Sequence, residues 1–203
     1  MDQDKDKLTE LFSKFPGIGP RQARRFTYFL MSENRGFSEE FVRLILSVRR
    51  TVAYCKECLR LTQDSEQICK TCRDPEREST QLLLVAKDIE LETILRSGSF
   101  KGKFFVLGRL LPILAKEPER EIRIQELITR IDRGITNGLK EIILAFPVTT
   151  EGDFTSQFVK DKISPLAEQH DIKITILGRG LSTGTELEYS DADTISNALK
   201  NRS

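Results

Sequence analysis

No apolar run in the 203-residue sequence approaches the length of a transmembrane helix, which excludes a span of that kind. Neither sign of charge is in excess. Lys and Arg number 32 and Asp and Glu 31, a net charge of +1, so no global field pulls the chain toward nucleic acid or a membrane surface. The opening MDQDKDKLTE is charged and has no apolar core, unlike a secretory signal, and cytoplasm is the expected compartment. There is no repeat at solenoid spacing and no low-complexity segment. Histidine occurs once, at position 170, and cysteine four times. What remains, 38% hydrophobic and 31% charged, is the composition of a soluble globular protein, one large domain or two small ones.

The four cysteines are not scattered. Cys55, Cys58, Cys69 and Cys72 form two C-x-x-C pairs separated by residues 59–68. Each pair can place two thiolates on one turn of backbone, and two pairs complete a closed tetrahedral shell around one structural Zn2+ per chain. His170 is not needed to finish it. Four cysteines leave no open coordination position, so the metal would fold a segment too short to build its own core rather than catalyse. Two disulfides are the alternative, disfavoured by the pattern and by the intracellular look of the chain.

Before this segment the sequence reads as helical. Leu8, Leu11, Phe12 and Phe15 recur at helical spacing until Pro16. Residues 21–31 carry a second stripe in Ala23, Phe26, Phe29 and Leu30, with the phenylalanines expected in the core. Asn34-Arg35-Gly36 reads as a break, with Ser38 as the N-cap of a third amphipathic helix through Phe41, Leu44, Ile45, Val48 and Val52. Between the first two helices lies FPGIGP. Gly17 and Gly19 around one apolar residue allow a tight turn with exposed N–H groups, and the next helix presents its positive end there. Arg21 and Arg25 sit one helical turn apart beside it. Lys14, Arg21, Arg24 and Arg25 are unopposed by any acid over residues 11–32. Such a patch can hold a DNA phosphate without touching a base; the alternative is a plain helix–helix turn.

After the cysteines strands alternate with helices. Strands are expected at residues 81–86, 103–107, 141–146 and 172–177, and helices at 88–97, 122–135, through Phe154, Phe158 and Ile163, and at 191–199. This pattern implies a mostly parallel sheet, with ligands beyond the carboxyl ends of its strands. One such end carries Glu151 and Asp153, which would share a weak Mg2+ or simply decorate a helix N-terminus. Another, GRGLSTGTELEY with Arg179, could hold phosphate but lacks the lysine of a phosphate loop.

FPGIGPRQARRF, the CKEC and CKTC pairs, VLG at 106–108, EGDFT at 151–155, GRGL at 178–181 and LEYSDADT at 187–194 occur in one order. Together they resemble the RecR family of bacterial recombination mediators over nearly the whole chain. The resemblance implies an α+β multidomain fold. Residues 1–53 would be a helix-hairpin-helix region, 54–76 a four-cysteine zinc finger, 77–177 a Toprim-like α/β domain, and 178–203 a C-terminal segment in oligomer contacts. It implies a ring-shaped homotetramer that clamps single- or double-stranded DNA without sequence preference. It also implies work with RecO, and RecF where present, to load RecA on single strands coated by SSB. Gly17, Gly19, Arg21 and Arg25 inherit the DNA-contacting positions. The sequence departs from Toprim enzymes where LLLVAKD puts Leu84 or Val85 in place of a glutamate, with Asp88 a substitute only if the loop folds back. RLLPILAKEPER after Gly108 lacks the longer glycine-bearing loop of the family. The expected protein is therefore not an enzyme. A Mg2+-dependent Toprim nuclease, or a zinc-stabilised interaction module with no DNA role, are the other readings.

Overall fold

The structure, a computed structural model, describes residues 2–178, 180, 181, 184 and 186–200. Arg179 lies outside them. The chain divides into two compact units, Met1–Val52 and Ala53–Ser203.

The first unit is three helices: α1 (Asp2–Ser13), α2 (Pro20–Ser32) and α3 (Arg35–Thr51). α1 and α2 pack through small side chains. Ala23 and Thr27 are fully buried, and the hydroxyls of Thr9 and Thr27 meet at 2.9 Å. Ser38 is not the cap of α3. Asn34 is, accepting from the Phe37 amide at 2.9 Å, and the helix begins four residues earlier than expected. Asparagine satisfies a first-turn N–H from an extended conformation, and Gly36 is tolerated in a turn whose amides are not yet paired within the helix. Nor are Phe26 and Phe29 core residues of this chain: both are half-exposed, and α3 buries no residue at all. The stripes are real, but several of their largest side chains, Phe15, Phe26, Phe29 and Phe41, are left exposed.

The second unit opens with a two-stranded antiparallel hairpin, β1 (Ala53–Tyr54) and β2 (Leu61–Thr62), and a short helix, α4 (Lys70–Arg73). An α/β region follows: β3 (Glu78–Val85), α5 (Asp88–Ser97), β4 (Gly102–Val106), α6 (Pro118–Glu121), α7 (Ile124–Thr136), β5 (Glu141–Leu144), α8 (Thr150–Gln169) and β6 (Lys173–Ile176). A 3-10 turn, Leu187–Tyr189, and α9 (Ala192–Lys200) complete the described residues. The four strands form one parallel sheet in the order β4-β3-β5-β6, with Leu83 beside Phe104 and Ile143. β3 starts earlier than its apolar run because its first residues, Glu78 to Thr80, are polar; only backbone pairing declares them a strand.

Alternation along the strands sorts the core into two layers. Leu82, Leu84, Phe105, Ile142 and Leu144 pack under α7 and α8 against Leu127, Ile131, Val159 and Ile163. Leu83, Val85, Phe104 and Val106 pack under α5 against Leu91. Gly98, at φ 65°, closes α5 as expected. β4 is an edge strand, and the cysteine segment covers it: the outward amide of Val106 donates to the Cys58 carbonyl at 2.8 Å.

Candidate functional site

The four cysteines converge. Their sulfurs all lie within 4.8 Å of one another, with Cys58 and Cys69 Sγ 3.7 Å apart. Metal–sulfur bonds of about 2.3 Å at the tetrahedral angle put neighbouring sulfurs about 3.8 Å apart, so the spacing fits one tetrahedral ion. No two are bonded to each other, and all four converge on one point, as a shared ion requires and two separate disulfides do not. Cys55, Cys58 and Cys69 are buried and Cys72 is partly covered. The knuckles are turned by Leu59 and Gln67 in the left-handed region, and the Cys69 amide donates to Cys55 Sγ at 3.4 Å, a bond suited to a thiolate. As thiols the four pull in opposite directions. The hydrogen bond from Cys58 drives Cys55 down, while its counterpart to Cys55 drives Cys58 up. Cys72 is pushed up chiefly by its bond to Cys55. Cys69, raised by Cys55 but lowered more by Cys58 and Cys72, is brought down to about 6. A soft dication taking all four sulfurs removes that conflict. Among the described residues this is the one group of three or more such side chains placed to hold a metal.

The finger is bolted to the α/β layer. Arg123 Nη1 donates to the carbonyls of Leu59 and Val106, and its guanidinium lies over the Tyr54 ring at 4.3 Å. The Leu61 amide donates to Asp88 Oδ1 at 2.8 Å. Arg60 pairs with Glu92 at 3.3 Å, and Glu57 with Arg133 at 3.1 Å. Reading the sequence by motif missed all of these, because the partners lie up to 76 positions apart and belong to no pattern.

At the hairpin of the first unit, Gly17 adopts φ 76°. The Ile18 amide returns to the Phe15 carbonyl at 3.1 Å. Gly19 is the N-cap of α2, with Pro20 in its first turn, and its carbonyl accepts from Ala23. Arg21, Arg24 and Arg25 are exposed on that helix, Arg25 reaching Gln22 at 3.4 Å. The turn therefore offers unshared amides and three cations in one place. Around it, Phe12, Phe15, Phe26, Phe29, Phe37 and Phe41 line an apolar groove of about 470 Å³.

At the carboxyl ends of the strands the acids are otherwise engaged. Asp88 does not fold back toward the sheet end; it holds the finger through Leu61. Glu90 accepts from the amides of Ala86 and Lys87 at 2.8 and 3.0 Å, closing the end of β3. Glu151 and Asp153 stand in the first turn of α8, which Thr149 caps by accepting from Gly152. Asp153 lines a cleft of about 990 Å³ together with Asp191.

A family model described as "RecR, C-terminal" matches residues 180–203. The chain is 36% identical over 197 residues to the recombination protein RecR of Prochlorococcus marinus subsp. pastoris, covering 97% of this chain and 94% of that one. To the recombination protein RecR of Chloroflexus aggregans it is 34% identical, covering 97% and 91%. To that of Parabacteroides distasonis it is 33% identical, covering 96% and 89%. Likeness of this degree along nearly the full length of both partners, with the cysteine cluster and the parallel sheet in place, means that the chain belongs to the RecR family of recombination proteins.

Proposed function

We propose that the protein is a non-catalytic DNA-binding clamp and mediator of recombinational DNA repair, acting in the cytoplasm with RecO, and with RecF where present, to load RecA on SSB-coated single strands. The observation that carries the DNA contact is the hairpin: Gly17 in a left-handed turn, Gly19 capping α2, and Arg21 and Arg25 exposed on the first turns of that helix. Backbone amides and arginines address phosphates and not base edges, so single and double strands bind without sequence preference. Zn2+ is the ion the four thiolates hold, one per chain, and its role is to fold the finger.

A homotetramer is supported by the outward apolar faces. Phe15, Phe29, Ile45 and Val48 of the first unit and Leu187 and Leu199 near the C-terminus are half-exposed or more, an area that a monomer would not leave to water. Nucleolytic chemistry is disfavoured by Asp88 and Glu90, both spent on backbone amides. Glu151 and Asp153 are read as charge complementing the N-terminus of α8.

The test is fluorescence anisotropy of labelled single and double strands across a salt series, wild type against Arg21→Ala/Arg25→Ala. The expected result is weaker binding by the variant and a shallower dependence of log K on log salt. A variant that binds as the wild type does removes the hairpin from the DNA surface.

A further inference from the structure

The amino end of the sheet, away from the strand ends discussed above, holds a cleft of about 440 Å³ between the finger and the α/β layer. Four cations line it. Arg77 leads into β3, Lys103 lies on β4, and Arg130 and Arg133 stand one turn apart on α7. Against them stand two carboxylates. Glu57 of the finger is shared by Arg130 at 3.7 Å and Arg133 at 3.1 Å, and Asp74 lies 3.7 Å from Arg77. Cys72 forms part of the wall.

Two of the guanidinium groups are held where water scarcely reaches. The side chains of Arg77 and Arg130 are only 15% and 11% exposed. Arg77 is fixed by Nη1 bonds to the carbonyls of Phe100 and Gly102 and by the Phe104 ring, 5.1 Å from its guanidinium. Yet the Nε–H of each faces its carboxylate only at 3.7 Å, Asp74 Oδ2 for Arg77 and Glu57 Oε2 for Arg130, beyond hydrogen-bond reach. A buried charge whose counter-ion stands beyond hydrogen-bond reach is compensated only in part. An ion-pair cluster serving only to dock the finger would have no need of the open space or of Lys103, whose ammonium reaches only a carbonyl at 3.5 Å. Ser79, Thr136 and Asn137 complete a polar rim.

We propose that this cleft binds a phosphate group, with Lys103 and Arg133 as its accessible ligands and Arg77 and Arg130 as the pre-set charge behind them. Planar guanidinium donors and an ammonium around an open site of this size suit a tetrahedral oxyanion. Two sources carry that chemistry: a phosphodiester of a DNA backbone, or free phosphate. The first rests on the DNA-binding reading above and adds a second contact to it, on the other unit of the chain.

The experiment compares the full-length wild type, Lys103→Gln/Arg133→Gln and Arg21→Ala/Arg25→Ala. Each is titrated with labelled oligothymidylate across a salt series, and each is melted with phosphate substituted for chloride at constant ionic strength. Zinc content is measured throughout. With a backbone phosphate in the cleft, the Lys103→Gln/Arg133→Gln protein keeps its zinc and melts within a few degrees of the wild type in chloride, giving up one half-exposed ion pair with Glu57. It binds oligothymidylate about 3- to 10-fold more weakly, with a salt slope shallower by about 0.7 per lost contact. With free phosphate as the ligand, DNA binding is unchanged, and phosphate raises the melting temperature of the wild type but not of this variant. If neither readout distinguishes them, the cleft is not a phosphate site. Loss of zinc by the variant also overturns the proposal, since the cations would then serve the thiolates. Should the wild type itself fail to bind DNA, the clamp reading falls and the phosphate melts alone decide the cleft. Should the double variant misfold, Arg133→Gln, on the half-exposed arginine, carries the same comparisons.

Discussion

Arg123 Nη1 donates to the Leu59 carbonyl at 2.6 Å and to the Val106 carbonyl at 3.1 Å, so one guanidinium ties the first cysteine knuckle to the edge strand. Its face lies on the ring of Tyr54, the residue before Cys55. Hydrogen bonds to a charged group contribute about 1.5–3 kcal/mol and a partly covered cation–π contact about 0.5–2 kcal/mol. Arg123→Ala is therefore expected to lower stability by about 2–4 kcal/mol, at unchanged zinc content, and to expose residues 53–76 to protease. Arg123→Lys keeps donors for the two carbonyls but loses the planar guanidinium that lies over Tyr54, so it recovers only part of the loss. Equal denaturation midpoints for wild type and Arg123→Ala would show that the finger is held by other contacts.

The start of α8 leaves no room at Gly152. A Cβ there would stand 1.9 Å from the Pro147 carbonyl oxygen, and backbone cannot step aside as a side-chain tip can. Gly152→Ala should destabilise by about 2–4 kcal/mol or give insoluble protein. Gly178→Ala is the matched control, with nothing within 4 Å of where its Cβ would project and an ordinary φ. At about 2–4 °C per kcal/mol, a melt separates the two. Comparable melting of both variants would mean that the chain turn at Pro147 relaxes freely.

The alternation of strand and helix, the Gly98 stop and the cysteine pairs were legible because each is local. Periodicity is set within one element, and a metal knuckle within a single turn of backbone. The direction of a stripe is not local. Phe26, Phe29 and Phe41 have the spacing of a core face, yet in this chain that face is open. Spacing reports that a face is apolar and not what covers it. The roles of Asp88 and Arg123 were equally hidden, since their partners, Leu61 and Leu59, lie on a segment far back in the chain and bond through backbone atoms that any residue would supply. Asn34 and Ser38 are both good caps by residue type, and it is Asn34 that takes the place by accepting from the Phe37 amide.

Protons and metal compete for the same sulfurs, so zinc retention should fall with falling pH. The bound state requires four thiolates; acid protonates them and favours the free cluster. Cys69, brought down to about 6, is among the thiols that resist protonation longest, whereas Cys58 and Cys72 hold their protons firmly. Binding near neutral pH therefore releases protons, and a chelator should strip the ion faster at about pH 5.5 than at about pH 7.5. Cys55→Ser and Cys72→Ser should lose the ion at any pH and yield aggregating or proteolysed protein. Metal analysis after dialysis at several pH values checks the first expectation, and sedimentation of the serine variants the second. A soluble, zinc-free variant with wild-type melting would show that the finger folds unaided.

Gly17 and Gly19 make the same motif but meet different demands. Neither has a neighbour within 4 Å of where a Cβ would project, so packing does not require glycine at either. Only Gly17, at φ 76°, sits where an L side chain is strained; Gly19, at φ −82°, does not. The left-handed conformation costs a non-glycine residue about 1–2 kcal/mol, and Gly19→Ala gives up only the modest advantage of glycine over alanine at an N-cap. Gly17→Ala is thus expected to loosen the turn proposed to seat a phosphate, weakening DNA binding several-fold at constant salt slope, because no charge is lost. Gly19→Ala should bind within about 2-fold of the wild type, its helix start being intact. The contrast separates geometry from charge: Arg21→Ala/Arg25→Ala changes both affinity and slope, Gly17→Ala affinity alone. Equal binding by Gly17→Ala and the wild type would mean that the arginines act as a diffuse cationic surface and that the turn has no part in seating the phosphate.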